Sequence, residues 1–174
     1  MSLQVKKILF ATDLSQHAQY AFSFASSIAD FYGASIVILH VMEEMSGHIK
    51  NVTINHVGVE RWNEIRKKVE MEAREILIGK KRDKVMIRQG LDTFWYDVST
   101  DYPEYSVVVD EVIVKEGHIA DVIVKQAEDS ACDLIVMAYY SRNMVAEAMM
   151  HGVTRKVLRR SKKPVLLVPM PEDK

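Results

Sequence analysis

The chain is expected to fold as an α/β protein, with five short strands in one parallel open sheet and helices on both of its faces. Three observations point there. Apolar residues run unbroken at Ile8-Leu9-Phe10-Ala11, Ile36-Val37-Ile38-Leu39 and Leu134-Ile135-Val136-Met137, as in strands buried on both sides. Between such runs, apolar residues recur every three or four positions, as on one face of a helix. The two kinds of segment also alternate, and the last forty residues repeat the order strand, polar turn, amphipathic helix, strand.

Lys6 to Thr12 is the first strand, and Asp13-Leu14-Ser15 is a turn with Ser15 placed to cap a helix. That helix runs to Tyr32 with Ala18, Ala21, Phe22, Ala25, Ile28, Ala29 and Tyr32 on one face. Gly33 follows it, where a left-handed C-cap favours glycine. Ala34 to Val41 is the second strand. Residues 42–58, with Gly47, Asn51, Asn55 and Gly58, read as a loop. Val59 to Gly79 reads as a helix with Trp62, Ile65, Val69, Ala73, Ile76 and Leu77 inward, and Glu64 spaced to pair with Lys68 on its outer side.

Residues 80–108 hold a basic run at Lys80-Lys81-Arg82, a short strand-like Val85-Met86-Ile87 and an aromatic cluster of Phe94, Trp95, Tyr96, Tyr102 and Tyr105. The cluster has two readings, a small satellite core or a partner surface. Val107 to Val114 is the third strand. Gly117 opens a helix to Ser130, with Ile119, Val122, Ile123 and Ala127 inward. Leu134 to Met137, Asn143 to Arg160 and Val165 to Val168 are the fourth strand, the last long helix and the fifth strand. Pro164 at the entry of the fifth suits an edge.

The 174 residues fit one domain, spanning 1–174. A net charge of −1 gives no global field toward nucleic acid or an anionic membrane, so neither is expected as a partner. No apolar run approaches the roughly 20 residues of a membrane span. Met1 to Lys7 leads into the first strand without a signal-peptide core. With a single cysteine, which excludes a disulfide framework, this points to a cytoplasmic setting. The six histidines show no ligand spacing, so no metal site is expected. Cys132 reads as a small buried apolar residue. The basic run Arg159-Arg160, Lys162-Lys163 follows the last helix, where cations suit the dipole, and reads as a solvated face.

Three segments together carry a family resemblance: Ile8-Leu9-Phe10-Ala11-Thr12-Asp13-Leu14-Ser15, Asp133-Leu134-Ile135-Val136-Met137, and Lys156-Val157-Leu158-Arg159 followed by Pro164-Val165-Leu166-Leu167-Val168. In this order and spacing the chain resembles the universal stress protein family over Lys6 to Val41 and Gly117 to Val168. The resemblance implies an adenine-nucleotide α-hydrolase-like sheet of order 3-2-1-4-5, and makes 80–108 an insertion. It also implies a homodimer in which Val165, Leu166, Leu167 and Val168 pair with their symmetry mates.

In an open parallel sheet, ligands bind beyond the carboxyl ends of the strands where the strand order reverses. In the implied order, that point brings Ala11, Thr12, Asp13 and Ser15 beside Val41, Met137 and Ala138, with the start of the last helix facing the crevice. Nucleotide-binding members of the family carry Gly-x2-Gly-x9-Gly-(Ser/Thr) here. The matching positions are Ala138, Ser141, His151 and Gly152, so none of the three glycines is in place. Ala and Ser still offer backbone N–H groups, without glycine's freedom at positive φ. Arg142 remains as a phosphate donor, Asp13 matches the family aspartate, and Val41 matches the position whose backbone meets adenine. Asp13 has a second reading as an Asx-type turn closer, Arg142 as a surface ion-pair partner, and His151 as an ordinary helix residue.

The leading expectation is therefore a non-catalytic, homodimeric stress-response module with an unidentified protein partner, no catalytic residue and no required cofactor. The alternative is an ATP- or AMP-binding switch, with Mg and at most slow hydrolysis, because no general base stands in the turn. Enzymes of the wider α-hydrolase-like group are disfavoured, since Ser-Gly-Gly-x-Asp-Ser, His-x-Gly-His, Walker A and Gly-x-Ser-x-Gly segments are all absent.

Overall fold

A computed structural model of the chain describes residues 4–78, 107–139 and 144–169. Its elements, in order, are β1 (Lys7–Thr12), α1 (Gln16–Tyr32), β2 (Ser35–Glu43), α2 (Gly47–Val57), α3 (Val59–Ile78), β3 (Val108–Gly117), α4 (Ile119–Asp129), β4 (Leu134–Tyr139), α5 (Met144–Arg160) and β5 (Val165–Pro169). The strands form one sheet of order β3-β2-β1-β4-β5, and every neighbouring pair is parallel. The expected class, strand number and strand order are all present.

The unbroken apolar runs follow from a sheet covered on both faces, because successive side chains point to opposite sides. Ile8, Phe10, Ile36, Ile38 and Val136 face α1, meeting Ala18, Ala21, Phe22, Ala25 and Ala29, with Leu77 of α3 in the same cluster. Leu9, Ala11, Val37, Leu39, Ile135 and Met137 face α4 and α5, meeting Ala120, Ile123, Ala127 and Val157. Ile8, Leu9, Ile36, Leu39 and Ile135 are fully buried, and each such side chain contributes about 1.5–3 kcal/mol. The ends of α1 are as the sequence implies. Ser15 Oγ accepts the Ala18 N–H at 3.2 Å, and Gly33 adopts φ 64° with its N–H on the last carbonyls of the helix.

Five expectations need correction. Tyr32, read on the inner face of α1, is exposed at the end of that helix. The loop read at 42–58 contains helix α2. Its apolar residues Ile49, Val52 and Val57 are exposed, so no buried face imposed a readable period. In α3, Trp62, Ala73 and Leu77 are buried, whereas Ile65, Val69 and Ile76 are more than two-fifths exposed. The helix touches its neighbours along a narrower line than its apolar stripe. On its outer side, Glu64 pairs with Arg61 at 2.9 Å, and Lys68 lies 3.9 Å from Glu72; the expected Glu64–Lys68 pair is not formed. Gly117 ends β3 at φ 151° instead of opening a helix, and α4 starts at Ile119 after His118. Apart from Val107 and Val108, the expected insertion, with its aromatic cluster, lies outside the described residues.

Cys132 is wholly buried, and burial pushes its thiol from the ordinary value of 9.0 up to about 11. It is the inert apolar residue its context suggested.

Candidate functional site

The strand order reverses between β1 and β4, and their carboxyl ends lie side by side: Ala11 is in register with Met137 on one side and Leu39 on the other. Ala11, Leu39, Val41 and Met137 belong to one cluster on the α4–α5 face, with Val153 of α5 packed against it. The fold thus brings Ala11, Val41 and Met137 to one apolar patch at the sheet's carboxyl edge, whereas the neighbouring Ala138 packs on the opposite, α1-side face. Ser141 and Arg142 lie outside the described residues, as does the side chain of His151, whose backbone belongs to α5.

The turn after β1 is closed by its own side chains. Thr12 Oγ1 accepts the Leu14 N–H at 3.0 Å. Asp13 Oδ1 accepts the Ser15 N–H at 3.0 Å and the Ser15 hydroxyl at 2.5 Å. These bonds hold Leu14 at φ 65°, a conformation that costs a residue with a Cβ about 1–2 kcal/mol. From β2, His40 Nδ1 donates to the Thr12 carbonyl at 2.9 Å, which fixes that ring's proton on Nδ1 and ties the turn to the sheet. Asp13 therefore has the Asx-type geometry that its position between a strand and a helix allowed.

Gly152 is half-buried within α5. A Cβ built there would meet nothing within 4 Å. Neither a close backbone approach within the chain nor a positive φ requires glycine at this position.

A second feature was not read from the sequence. A cleft of about 160 Å³ opens where the end of β2 meets the start of α4 and the middle of α5, lined by Glu43, His118, Ile119, Ala120, Asp121, Val153, Lys156 and Arg160. Arg160 is bonded to Asp121 across it. Small-molecule sites usually measure about 300–1,000 Å³, so this cleft is small and carries charges of both signs. Its residues come from three separated segments with no shared motif, and only Glu43, a charge ending an apolar strand, offered a signal. Among the described residues, no three His, Cys, Asp or Glu side chains gather where a metal could sit, and no helix is long and apolar enough to cross a membrane.

Comparison with known proteins agrees with this architecture. The model of the universal stress protein family matches residues 4–169. Universal stress protein MJ0577 of Methanocaldococcus jannaschii is 28% identical over 169 residues, covering 97% of each chain. The solved structure of MJ0577 superposes with a TM-score of 0.65 at 26% identity, covering 98% of this chain and 100% of that one. A universal stress protein in complex with cAMP has the same fold, with a TM-score of 0.56 at 17% identity over 97% of this chain and 100% of its own. So has one from Archaeoglobus fulgidus in complex with dAMP, with a TM-score of 0.51 at 18% identity over 95% and 98%. With the family model spanning nearly the whole chain and the strand order in agreement, the chain belongs to the universal stress protein family.

Proposed function

We propose that the chain is a non-catalytic regulatory module of the stress response, folded as one domain over 1–174 and working in the cytoplasm as a homodimer paired through β5. The observation that carries this reading is the β1–α1 turn. Asp13, the acidic residue at the mouth of the crevice, has an oxygen engaged twice by Ser15 of the same turn. The positions that would cradle a triphosphate carry Ala138, Ser141 and His151 in place of glycine. A turn bonded to itself, beside a phosphate loop without glycine's conformational freedom, suits a scaffold better than a triphosphate site.

A second reading is favoured by the apolar patch of Ala11, Val41 and Met137 and by the adenine nucleotides held in two structures of the same fold. Here the patch receives an adenine ring, and the ligand is a monophosphate such as AMP. Thermal melts with Mg-ATP, with AMP and with buffer alone separate the readings. A ligand that binds only the folded state stabilises it by RT ln(1 + [L]/Kd), about 2.7 kcal/mol at a hundredfold excess over Kd. Flat melts at millimolar nucleotide are expected for the scaffold. A saturable rise with AMP alone selects the second reading, and a rise with Mg-ATP that exceeds the AMP rise overturns the argument from the missing glycines.

A further inference from the structure

Helix α3 carries more apolar surface than it buries. Trp62, Ala73 and Leu77 form its buried line. Ile65, Val69 and Ile76 run along one flank of that line, within about 40° of one another around the helix, and each is more than two-fifths exposed. Helices α1 and α3 lie on the same face of the sheet, but α1 is seated mainly over β4 and β1, and α3 over β3. With right-handed crossovers, the Ile65–Val69–Ile76 flank turns toward α1, over the furrow between the two helices. Beside that flank Trp62 is buried, and its Nε1 has no acceptor among the described residues. A buried donor left without an acceptor is costly.

The chain outside the described residues leaves and re-enters next to this flank. Arg66 is ion-paired with Glu116, near the carboxyl end of β3. Three turns later, Leu77 shares a cluster with Ile36 and Val109, which are in register near the amino ends of β2 and β3. Helix α3 is therefore antiparallel to β3, and Ile78 ends it beside the start of that strand. Ends so placed are usually joined by about 2–6 residues, whereas about 28, residues 79–106, intervene here. They include Phe94, Trp95, Tyr96, Tyr102 and Tyr105. Segments that stay unpacked carry few aromatic residues, and each aromatic ring that packs removes about 150–250 Å² from water.

From this we infer that the Phe94-Trp95-Tyr96 run of the same chain docks on the Ile65–Val69–Ile76 flank of α3. The reach suffices. From Val107 back to Tyr96 the chain can extend about 36 Å, while Val69 lies about 14 Å and Ile65 about 20 Å along the helix from Ile78. Tethering at both ends gives the run an effective concentration of about millimolar at the flank, so a second copy or another protein at micromolar concentration competes poorly for it. A main-chain carbonyl of the docked run would also supply an acceptor for Trp62 Nε1. Docking here needs neither a nucleotide nor the β5 edge.

Tryptophan quenching in the full chain tests this. Trp62→Phe leaves Trp95 as the sole tryptophan, and circular dichroism confirms that the variant is folded. Acrylamide should quench Trp95 several-fold less in the folded protein than in urea, equally at all micromolar concentrations. Adding Val69→Glu should raise the quenching most of the way to the urea value. Adding Met71→Glu, which alters an exposed residue on the opposite side of α3, should not. Trp95 quenched as readily when folded as in urea overturns the docking. So does shielding that Val69→Glu leaves unchanged, which places the run elsewhere, and shielding that grows with protein concentration, which assigns the flank to a second copy. If Trp62→Phe does not fold, hydrogen exchange of the otherwise unaltered chain carries the test: slowed exchange at 94–96 that Val69→Glu removes supports the docking, and exchange there at the unfolded rate overturns it.

Discussion

Replacing Asp13 by alanine separates a carboxylate that closes a turn from one that waits for a ligand. Its Oδ1 accepts two bonds from Ser15, and the residue between them, Leu14, sits at φ 65°. Hydrogen bonds to a charged acceptor contribute about 1.5–3 kcal/mol each when sheltered. Asp13 is exposed, and water replaces much of what is lost, so about 1–2 kcal/mol for the pair is a fair expectation. In a domain of this size, about 1 kcal/mol shifts Tm by roughly 2–4 °C. Asp13→Ala should therefore melt about 2–8 °C below the parent with no nucleotide present. Asp13→Asn keeps an acceptor oxygen at the same place and should lose less than half as much. Differential scanning calorimetry of the three proteins in nucleotide-free buffer reads this directly. An alanine variant within about 1 °C of the parent would refute the structural role of the turn, as would an asparagine variant as unstable as the alanine one.

Three further outcomes follow from particular contacts. Gly117 sits at φ 151°, and a Cβ there would lie 2.9 Å from Val122 Cγ2, so Gly117→Ala should cost about 1–3 kcal/mol by urea denaturation; an unchanged midpoint would show that the β3–α4 junction relaxes freely. Cys132, with its thiol raised to about 11 by burial, should react with a thiol reagent at pH 8 only as fast as the protein opens. Because its folded value lies above the unfolded one, stability should be flat below about pH 9 and should fall as pH rises from there to about 11; prompt labelling of the native protein, or stability that rises over that window, would contradict the burial. Restoring glycine at Ala138, Ser141 and His151 together should create or strengthen a Mg-ATP-dependent rise in melting temperature, measured beside the parent; no change would mean that glycine freedom is not what limits triphosphate binding.

The sheet was legible because its chemistry is repetitive. Strands buried on both faces need unbroken apolar runs, and Ile8–Ala11, Ile36–Leu39 and Leu134–Met137 supply them. The caps of α1 were legible for a related reason, since Ser15 and Gly33 each answer a specific need of a helix end. The strand order itself came through the family resemblance rather than from periodicity. What escaped the sequence was structure held by local bonds or by partial cover. Helix α2 leaves Ile49, Val52 and Val57 exposed, so nothing in them distinguished it from a loop. In α3 the apolar stripe is broader than the contact it makes, and Ile65, Val69 and Ile76 were assigned to a core they do not reach. The cleft at Glu43 and Lys156 joins residues more than a hundred positions apart, which no local pattern encodes.

The crevice divides along the same physical line. Its apolar side could be placed from the sequence because Ala11, Val41 and Met137 occupy strand positions, and a parallel register fixes where strand residues fall. Its polar side depends on turn geometry, where one torsion decides what a side chain does. Asp13 shows this: the backbone around Leu14 at φ 65° brings its Oδ1 onto Ser15. A ligand that took Oδ1 from Ser15 would give up two bonds and the conformation they support, which would weaken its binding by about 1–2 kcal/mol, a factor of roughly 5–30 in affinity, whereas one that met only Oδ2 would not. That penalty would fall on a ligand that needs Oδ1 and would spare one that needs only the apolar patch. The turn closes the fold, and a ligand's dependence on Oδ1 is what the comparison of ATP with AMP, read together, would expose better than either titration alone.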